Sequence, residues 1–312
     1  MRAVRQHAYG EPLVVEEVDA PVAGDGETVV AIAYGAVNPL DVWISAGAVA
    51  VAGPLPRTPG CEGVGTTADG RRVAFRGAGL GLVRDGAWAE QVSVPDGALA
   101  VVPDGCSDAQ AAALGIPGVT ALDCLDLAEV GSGSTVLILG ASGGVSTIAL
   151  QLAKARGARV IAQTTSPNRV GQVSRFADEV VVCAADGVED EVRALAPDGV
   201  DAILDPLAGD FSAPCVRLLA PNGALVLYGA SAGPAFSFQP QEMYRKNARV
   251  IGYSGLPVAP ADTARAMESL FAMVAAGTLD PVIADELPLD EANDAVARIR
   301  ENRAGGKLLL RP

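Results

Sequence analysis

TVLILGASGGVSTIALQLAKARGARVIAQTT, residues Thr135 to Thr165, decides the fold of this chain. Thr135–Leu139 is a short apolar, β-branched run of the kind buried in a parallel sheet, and Gly140-Ala-Ser-Gly-Gly144 breaks it into a turn. From Val145 the apolar positions Val145, Ile148, Ala149, Leu152 and Ala153 recur at helical spacing, until Gly157 offers a C-terminal stop. Ala158–Thr165 then reads as a second strand. Strand, glycine-rich turn, helix and strand make half of a nucleotide-binding fold. Against the fingerprint G-x-G-x-x-G/A the matching positions are Ala141, Gly143 and Ser146. Gly143 lets the backbone approach a pyrophosphate, and the helix N-terminus stabilises its charge through free N–H groups. Ala141, Ser142, Gly143, Gly144 and Val145 are therefore the expected phosphate cradle. Ser146 departs from the third position, but its side chain is small enough for close helix–strand packing.

The dinucleotide is read at the end of the second strand, where an NAD site places an Asp or Glu against the ribose 2′-hydroxyl. Here the segment is Gln163-Thr-Thr-Ser-Pro-Asn-Arg169, with no carboxylate. Thr164, Thr165 and Ser166 offer hydroxyls and Arg169 a guanidinium, a set suited to a 2′-phosphate. The reading favours NADPH. In the alternative, Ser166-Pro167-Asn168 caps the next helix and Arg169 points to solvent. Further strands are expected at 179–183, 199–204, 223–228 and 249–252. Ligands bind beyond the carboxyl ends of such strands, which places Pro206, Leu207 and the loop Gly229, Ala230, Ser231 beside the nicotinamide. Small residues there also suit tight turns on their own account.

Outside this region the pattern changes. Val29–Ala33, Arg72–Phe75, Ala89–Val94 and Leu99–Val102 are short β-rich pieces between Gly, Pro and Asp turns, as in an irregular antiparallel barrel. An alanine-rich helix at 260–276, a segment at 289–302 and a terminal strand from Lys307 follow, the last returning to the first domain. The expected fold class is α/β, a doubly wound parallel sheet plus an antiparallel β-barrel. The expected division is 1–111 completed by 253–312, and 112–252. Gly77-Ala-Gly79-Leu-Gly81 precedes no helix and reads as a flexible loop, not a second phosphate site.

With 312 residues, half of them hydrophobic, the chain has ample core, and its apolar runs are strand-length, which argues against a membrane span. MRAVRQHAYGEP at the N-terminus lacks the apolar stretch of a secretory signal. Five cysteines with no C-x-x-C suit reduced thiols and a cytoplasmic setting. A net charge of −14 repels phosphate backbones and argues against nucleic acid as partner. An anionic cofactor must be held by local donors.

Val37-Asn-Pro-Leu-Asp41, Pro59-Gly-Cys-Glu-Gly-Val-Gly65, Gly86-Ala-Trp-Ala-Glu90, Gly115-Ile-Pro-Gly-Val-Thr-Ala121, the Ala-Ser-Gly-Gly-Val turn and Gly305-Gly-Lys-Leu-Leu-Leu310 run in an order and spacing that resembles, end to end, the zinc-independent medium-chain dehydrogenases/reductases of the quinone oxidoreductase type. The resemblance implies a GroES-like barrel with a Rossmann domain, an active site in the cleft between them, and a homodimer. It also implies NADPH-dependent reduction of small molecules, quinones or enones. Thr120 resembles the family threonine near the cofactor phosphates, or is an ordinary helix hydroxyl.

Zinc-dependent relatives carry a Cys at the place of Asn38 and a His at the place of Cys61, and the chain's one His, His7, lies near the N-terminus. Three protein ligands for catalytic zinc cannot be assembled, so no metal is expected. Without a metal, direct hydride transfer suits acceptors that are already electrophilic. Asn38 either donates to the nicotinamide or the substrate oxygen, or fixes the loop ahead of Pro39; Asp41 caps the short helix there. Trp43 stands where many relatives carry a tyrosine, which replaces a phenolic donor by an aromatic contact. Cys61 is a small buried residue or a cleft thiol that quinones alkylate. The loops at about 45–56 and 75–85 determine the substrate. A non-catalytic NADPH-binding protein, a zinc-free enoyl thioester reductase and, remotely, a methyltransferase are the other readings.

Overall fold

The computed structural model describes residues 1–49 and 53–312, so positions 50–52 of the expected substrate loop lie outside the described residues. The chain divides into two units, Met1–Val119 with Leu256–Pro312, and Thr120–Gly255. The division expected from sequence, after 111 and 252, falls earlier in the chain at both joints.

In the first unit β1 (Arg2–Arg5) and β2 (Val14–Glu17) form an antiparallel ribbon. β3 (Glu27–Val37), β4 (Glu62–Thr67), β5 (Arg72–Arg76), β6 (Gln91–Pro95) and β7 (Leu99–Val101) pair antiparallel, with β3 contacting both β4 and β6. Three helices belong to this stretch: α1 (Pro39–Ser45), α2 (Asp108–Ala112) and the start of α3 (Ile116–Leu127). Inside, Val30, Val73, Phe75, Leu80, Val92 and Val94 form one apolar cluster. Leu80 is buried there, so the Gly77–Gly81 segment is anchored through its only large side chain. Trp88 is fully buried and donates its indole N–H to the Ala36 carbonyl at 3.1 Å, which satisfies the polar end of an otherwise apolar ring.

The second unit holds β8 (Thr135–Ile138), α4 (Gly144–Ala155), β9 (Arg159–Thr164), β10 (Glu179–Val182), β11 (Val200–Asp205), β12 (Leu219–Leu227) and β13 (Arg249–Gly252). Their order, β10-β9-β8-β11-β12-β13, with every pair parallel, is the doubly wound Rossmann order. Val136, Leu137 and Ile138 are all fully buried, as a strand covered on both faces requires. Gly157 takes φ +79° just after α4, the left-handed stop that only glycine adopts without cost.

The chain then returns to the first unit through helix Pro260–Ala275, β14 (Ile283–Pro288) and β15 (Lys307–Arg311). β15 pairs antiparallel with β3, Leu308 opposite Val37, so the terminal strand does rejoin the first sheet. Between β14 and β15 the sequence makes helix Ala292–Arg300. A helical crossover of this kind brings the second strand back parallel to the first, so the GroES-like sheet is mixed at this edge instead of wholly antiparallel.

Candidate functional site

In the Rossmann unit the turn after β8 is stapled from behind by Gln163, which is fully buried. Its Oε1 accepts the Gly140 N–H at 3.1 Å, its carbonyl accepts the Ala141 N–H at 2.8 Å, and its Nε2 donates to the Cys183 carbonyl at 2.7 Å. Gly143 N–H closes the turn on the Gly140 carbonyl at 2.9 Å, and Gly143 is then the N-cap of α4. Ala141 points into the core, while Ser142, Gly143, Gly144 and Val145 form the accessible surface of the turn. The N–H groups of the first turn of α4 have no intrahelical acceptor, the arrangement by which helix N-termini bind anions. Ser146 is buried, donates its hydroxyl to the Leu139 carbonyl at 3.0 Å and meets the Tyr228 hydroxyl at 3.1 Å. Burial drives the Tyr228 phenol far above its ordinary range, so it stays neutral beneath the turn.

At the end of β9, Thr164 is buried and its Oγ1 accepts the Ser166 N–H at 3.2 Å, while Thr165 is exposed. Ser166 precedes a 3₁₀ turn, Pro167–Arg169, without capping it through its side chain. The Arg169 guanidinium has no hydrogen-bond or ion-pair partner among the described residues. Beyond β11, the fully buried Asp205 carboxylate accepts the N–H groups of Leu207 at 2.7 Å and Ala208 at 3.0 Å. Burial raises the Asp205 carboxyl against the lowering effect of those two bonds. Ser231 holds the Pro206 carbonyl by both its N–H and its Oγ at 3.1 Å, so Pro206 and Leu207 are brought together with Gly229, Ala230 and Ser231. Ala208 sits at φ 53° and ψ −142°, a backbone region natural only to glycine. Thr120, the first residue of this unit, is buried.

In the first unit a buried polar network surrounds Asn38. Asp41 takes the Asn38 backbone N–H at 2.9 Å, the acidic half of a capping box for α1, and the Cys61 N–H at 3.1 Å. The Asn38 amide nitrogen donates to Asp41 at 3.2 Å and Glu62 at 2.8 Å, and its oxygen accepts from Lys307 Nζ at 2.5 Å. Both amide hydrogens are thus engaged by carboxylates. Lys307 Nζ pairs with Glu62 at 2.5 Å, and the other Glu62 oxygen accepts the N–H of Ile116 at the start of α3. Gly115 is needed here, because a Cβ at that position would fall 2.2 Å from the Glu62 oxygen. Cys61 is buried, and desolvation together with Asp41 pushes its thiol well up. Trp43 lies on α1 and is 41% exposed.

Sequence reading missed Glu62, Lys307 and Gln163 as site builders. Each stood inside a quoted motif, flanked by small or apolar residues, and a charged or amide side chain in such company signals a buried, paired group.

A parallel sheet in Rossmann order with a glycine turn at the head of α4, joined in one chain to a GroES-like unit, is the architecture of a medium-chain dehydrogenase/reductase. The family model described as zinc-binding dehydrogenase matches residues 144–272. The quinone oxidoreductase of Sus scrofa is 30% identical, over 99% of this chain and 97% of its own. A synaptic vesicle membrane protein VAT-1 homolog of Rattus norvegicus is also 30% identical, over 94% of this chain and 78% of its own. Among solved structures, the quinone oxidoreductase of Thermus thermophilus, determined also in complex with NADPH, aligns over the whole of both chains with TM-score 0.83 and 30% identity. An NAD-dependent alcohol dehydrogenase aligns over the whole of both chains with TM-score 0.91 and 29% identity. The chain belongs to the quinone oxidoreductase family of medium-chain dehydrogenases/reductases. Among the described residues no helix is long and apolar enough to cross a membrane.

Proposed function

We propose that this protein is an NADPH-dependent reductase that delivers hydride to quinones or α,β-unsaturated carbonyls without a metal. The observation that carries the cofactor is the segment after β9: hydroxyls at Thr165 and Ser166 and an Arg169 without a partner among the described residues, where an NADH site needs a carboxylate. Ser142–Val145 at the head of α4 would hold the pyrophosphate, Thr120 the neighbouring phosphate oxygens, and Pro206, Leu207 and Gly229–Ser231 the nicotinamide end. Bound NADPH supplies the hydride.

The residues at the zinc position do not fit a metal. Asn38 spends its amide on carboxylates, burial disfavours the Cys61 thiolate, and the neighbouring Glu62 already carries the Lys307 ammonium. A dication placed there would meet a resident cation instead of open ligands. Substrates are therefore those whose own conjugation accepts the charge that arrives with hydride, the proton coming from water. Asn38, Glu62 and Lys307 act as positioning residues that fix α1, with Trp43 on it as an apolar contact, and Cys61 as a small wall residue. Two copies pairing along the edge strand β13 would give the homodimer, and the setting is the cytoplasm.

The test is NADPH oxidation against a panel of quinones, enones, enoyl thioesters and simple alcohols, before and after chelation. Reduction of quinones or enones unchanged by chelator is expected. Robust alcohol oxidation, or activity restored only by zinc, overturns the reading; cofactor binding with no turnover makes the protein a non-catalytic NADPH binder.

A further inference from the structure

The first unit contains a second polar cluster, and unlike the network around Asn38 it is unsatisfied. Gln6 and Arg57 are 1% and 2% exposed and exchange backbone hydrogen bonds, Gln6 N–H to the Arg57 carbonyl at 2.8 Å and the reverse at 3.1 Å. The Gln6 amide nitrogen donates to the carbonyls of Ser45, at 2.8 Å, and Ala8, at 3.3 Å. Two carbonyls on one side of the amide fix its orientation, so the buried Oε1 is a true acceptor, and it has no partner among the described residues. The buried Oγ of Ser45, the last residue of α1, has none either. Arg57 uses Nη1 on the Gly53 carbonyl at 2.9 Å and leaves Nε and Nη2 buried and unpaired among the described residues.

Those two nitrogens lie along one edge of the planar guanidinium, the edge whose parallel N–H groups match the two oxygens of a carboxylate. A buried guanidinium without a counter-charge is costly, and an anion is a partner that would complete it. Ser45 adds a hydroxyl that donates to such an anion, and Gln6 an acceptor for a neighbouring hydroxyl or water. The protein carries a net charge of −14, so its general field repels anions and a local anchor of this kind has to do the binding. Ser45, whose carbonyl takes the Gln6 amide, shares α1 with Asp41, and Asp41 accepts the Cys61 N–H four positions after Arg57. The cluster therefore adjoins the Asn38–Asp41–Cys61 network, and Ser45 opens the loop expected to select the substrate.

We propose that Arg57, with Ser45 and Gln6, is the anchor of a carboxylate on the substrate, so that the preferred acceptors are acidic enones or quinones. The inference rests on the reductase reading and narrows its substrate class.

Benzoylacrylate and its methyl ester share one enone and differ in the carboxylate. Wild-type protein with NADPH should show kcat/KM at least tenfold higher for the acid, through KM more than kcat, about 1.4 kcal/mol of discrimination. Arg57→Met should bring the ratio of acid to ester close to one, and Arg57→Lys should recover part of it. Should Arg57→Met fail to fold, wild-type protein alone suffices: benzoylpropionate, the saturated keto acid, should raise its melting temperature in the presence of NADP⁺, and the methyl ester should not. Equal kcat/KM for acid and ester, or no stabilisation by the keto acid, overturns the carboxylate anchor and leaves the reductase reading standing. Stabilisation by the keto acid without reduction of either enone supports the anchor and removes the reductase reading.

Discussion

Lys307→Met tests the buried network most directly. The ammonium and the Glu62 carboxylate are 4% and 1% exposed, so neither charge is relieved by water when the other is removed. The variant leaves Glu62 with only the Asn38 amide and the Ile116 N–H, and it deprives the Asn38 oxygen of its donor. Breaking one side of a buried pair costs about 3–5 kcal/mol. With an m-value of about 3 kcal/mol/M in urea, the unfolding midpoint of the first unit should fall by about 1 M or more. The assay is selective, because the chain's two tryptophans are Trp43 and Trp88 and both belong to that unit, so their fluorescence follows it without contribution from the Rossmann unit. Adding Glu62→Gln should recover part of the loss, with a coupling energy of about 0.5–3 kcal/mol in a double-mutant cycle. A single-variant cost below about 1 kcal/mol, or strict additivity, would refute the picture of a closed, mutually dependent network.

Arg169→Ala should weaken NADPH by roughly ten- to a hundredfold, the worth of one charged hydrogen bond, and leave NADH nearly untouched; equal losses in a titration of both cofactors would remove Arg169 from the 2′-phosphate site. Ala208→Gly should stabilise the Rossmann unit by about 1 kcal/mol, because the strain of a non-glycine backbone at φ 53° exceeds the entropy cost of glycine, and a lower melting temperature would contradict this. Glu27 is held at about 2, below its ordinary 4.5, by the Arg84 guanidinium at 2.7 Å and by the Ser93 hydroxyl. Its stabilisation is complete above pH 4.5 and disappears as pH falls toward 2, so the difference in urea midpoint between wild type and Glu27→Gln should be widest at neutral pH and close on acidification. A gap that does not vary with pH would show that the pair contributes nothing through charge.

The Rossmann unit was legible because its signals are local. The β8 run, the Gly140–Gly144 turn and the period of α4 each lie within a dozen residues, and β13 spans the residues expected of it, 249–252. The barrel-like unit was less so. β1, β2 and β14 carry no distinctive alternation, since their exposure follows partners far away in sequence, and the parallel β14–β15 pair depends on a crossover that periodicity does not reveal. The sequence alone determined the parallel nucleotide-binding fold and the lack of an Asp or Glu in Gln163–Arg169, because these are matters of residue identity at positions that motifs define. Only the tertiary structure decided that both Asn38 amide hydrogens are engaged, that Glu62 joins α1, α3 and the terminal strand through Lys307, and that Arg57 is buried with two nitrogens unpaired among the described residues. Lys307 and Glu62 stand 245 positions apart in the chain. Whether a charge is paired, buried or left open depends on such long-range neighbours, and these exist only once the sheet has closed around them.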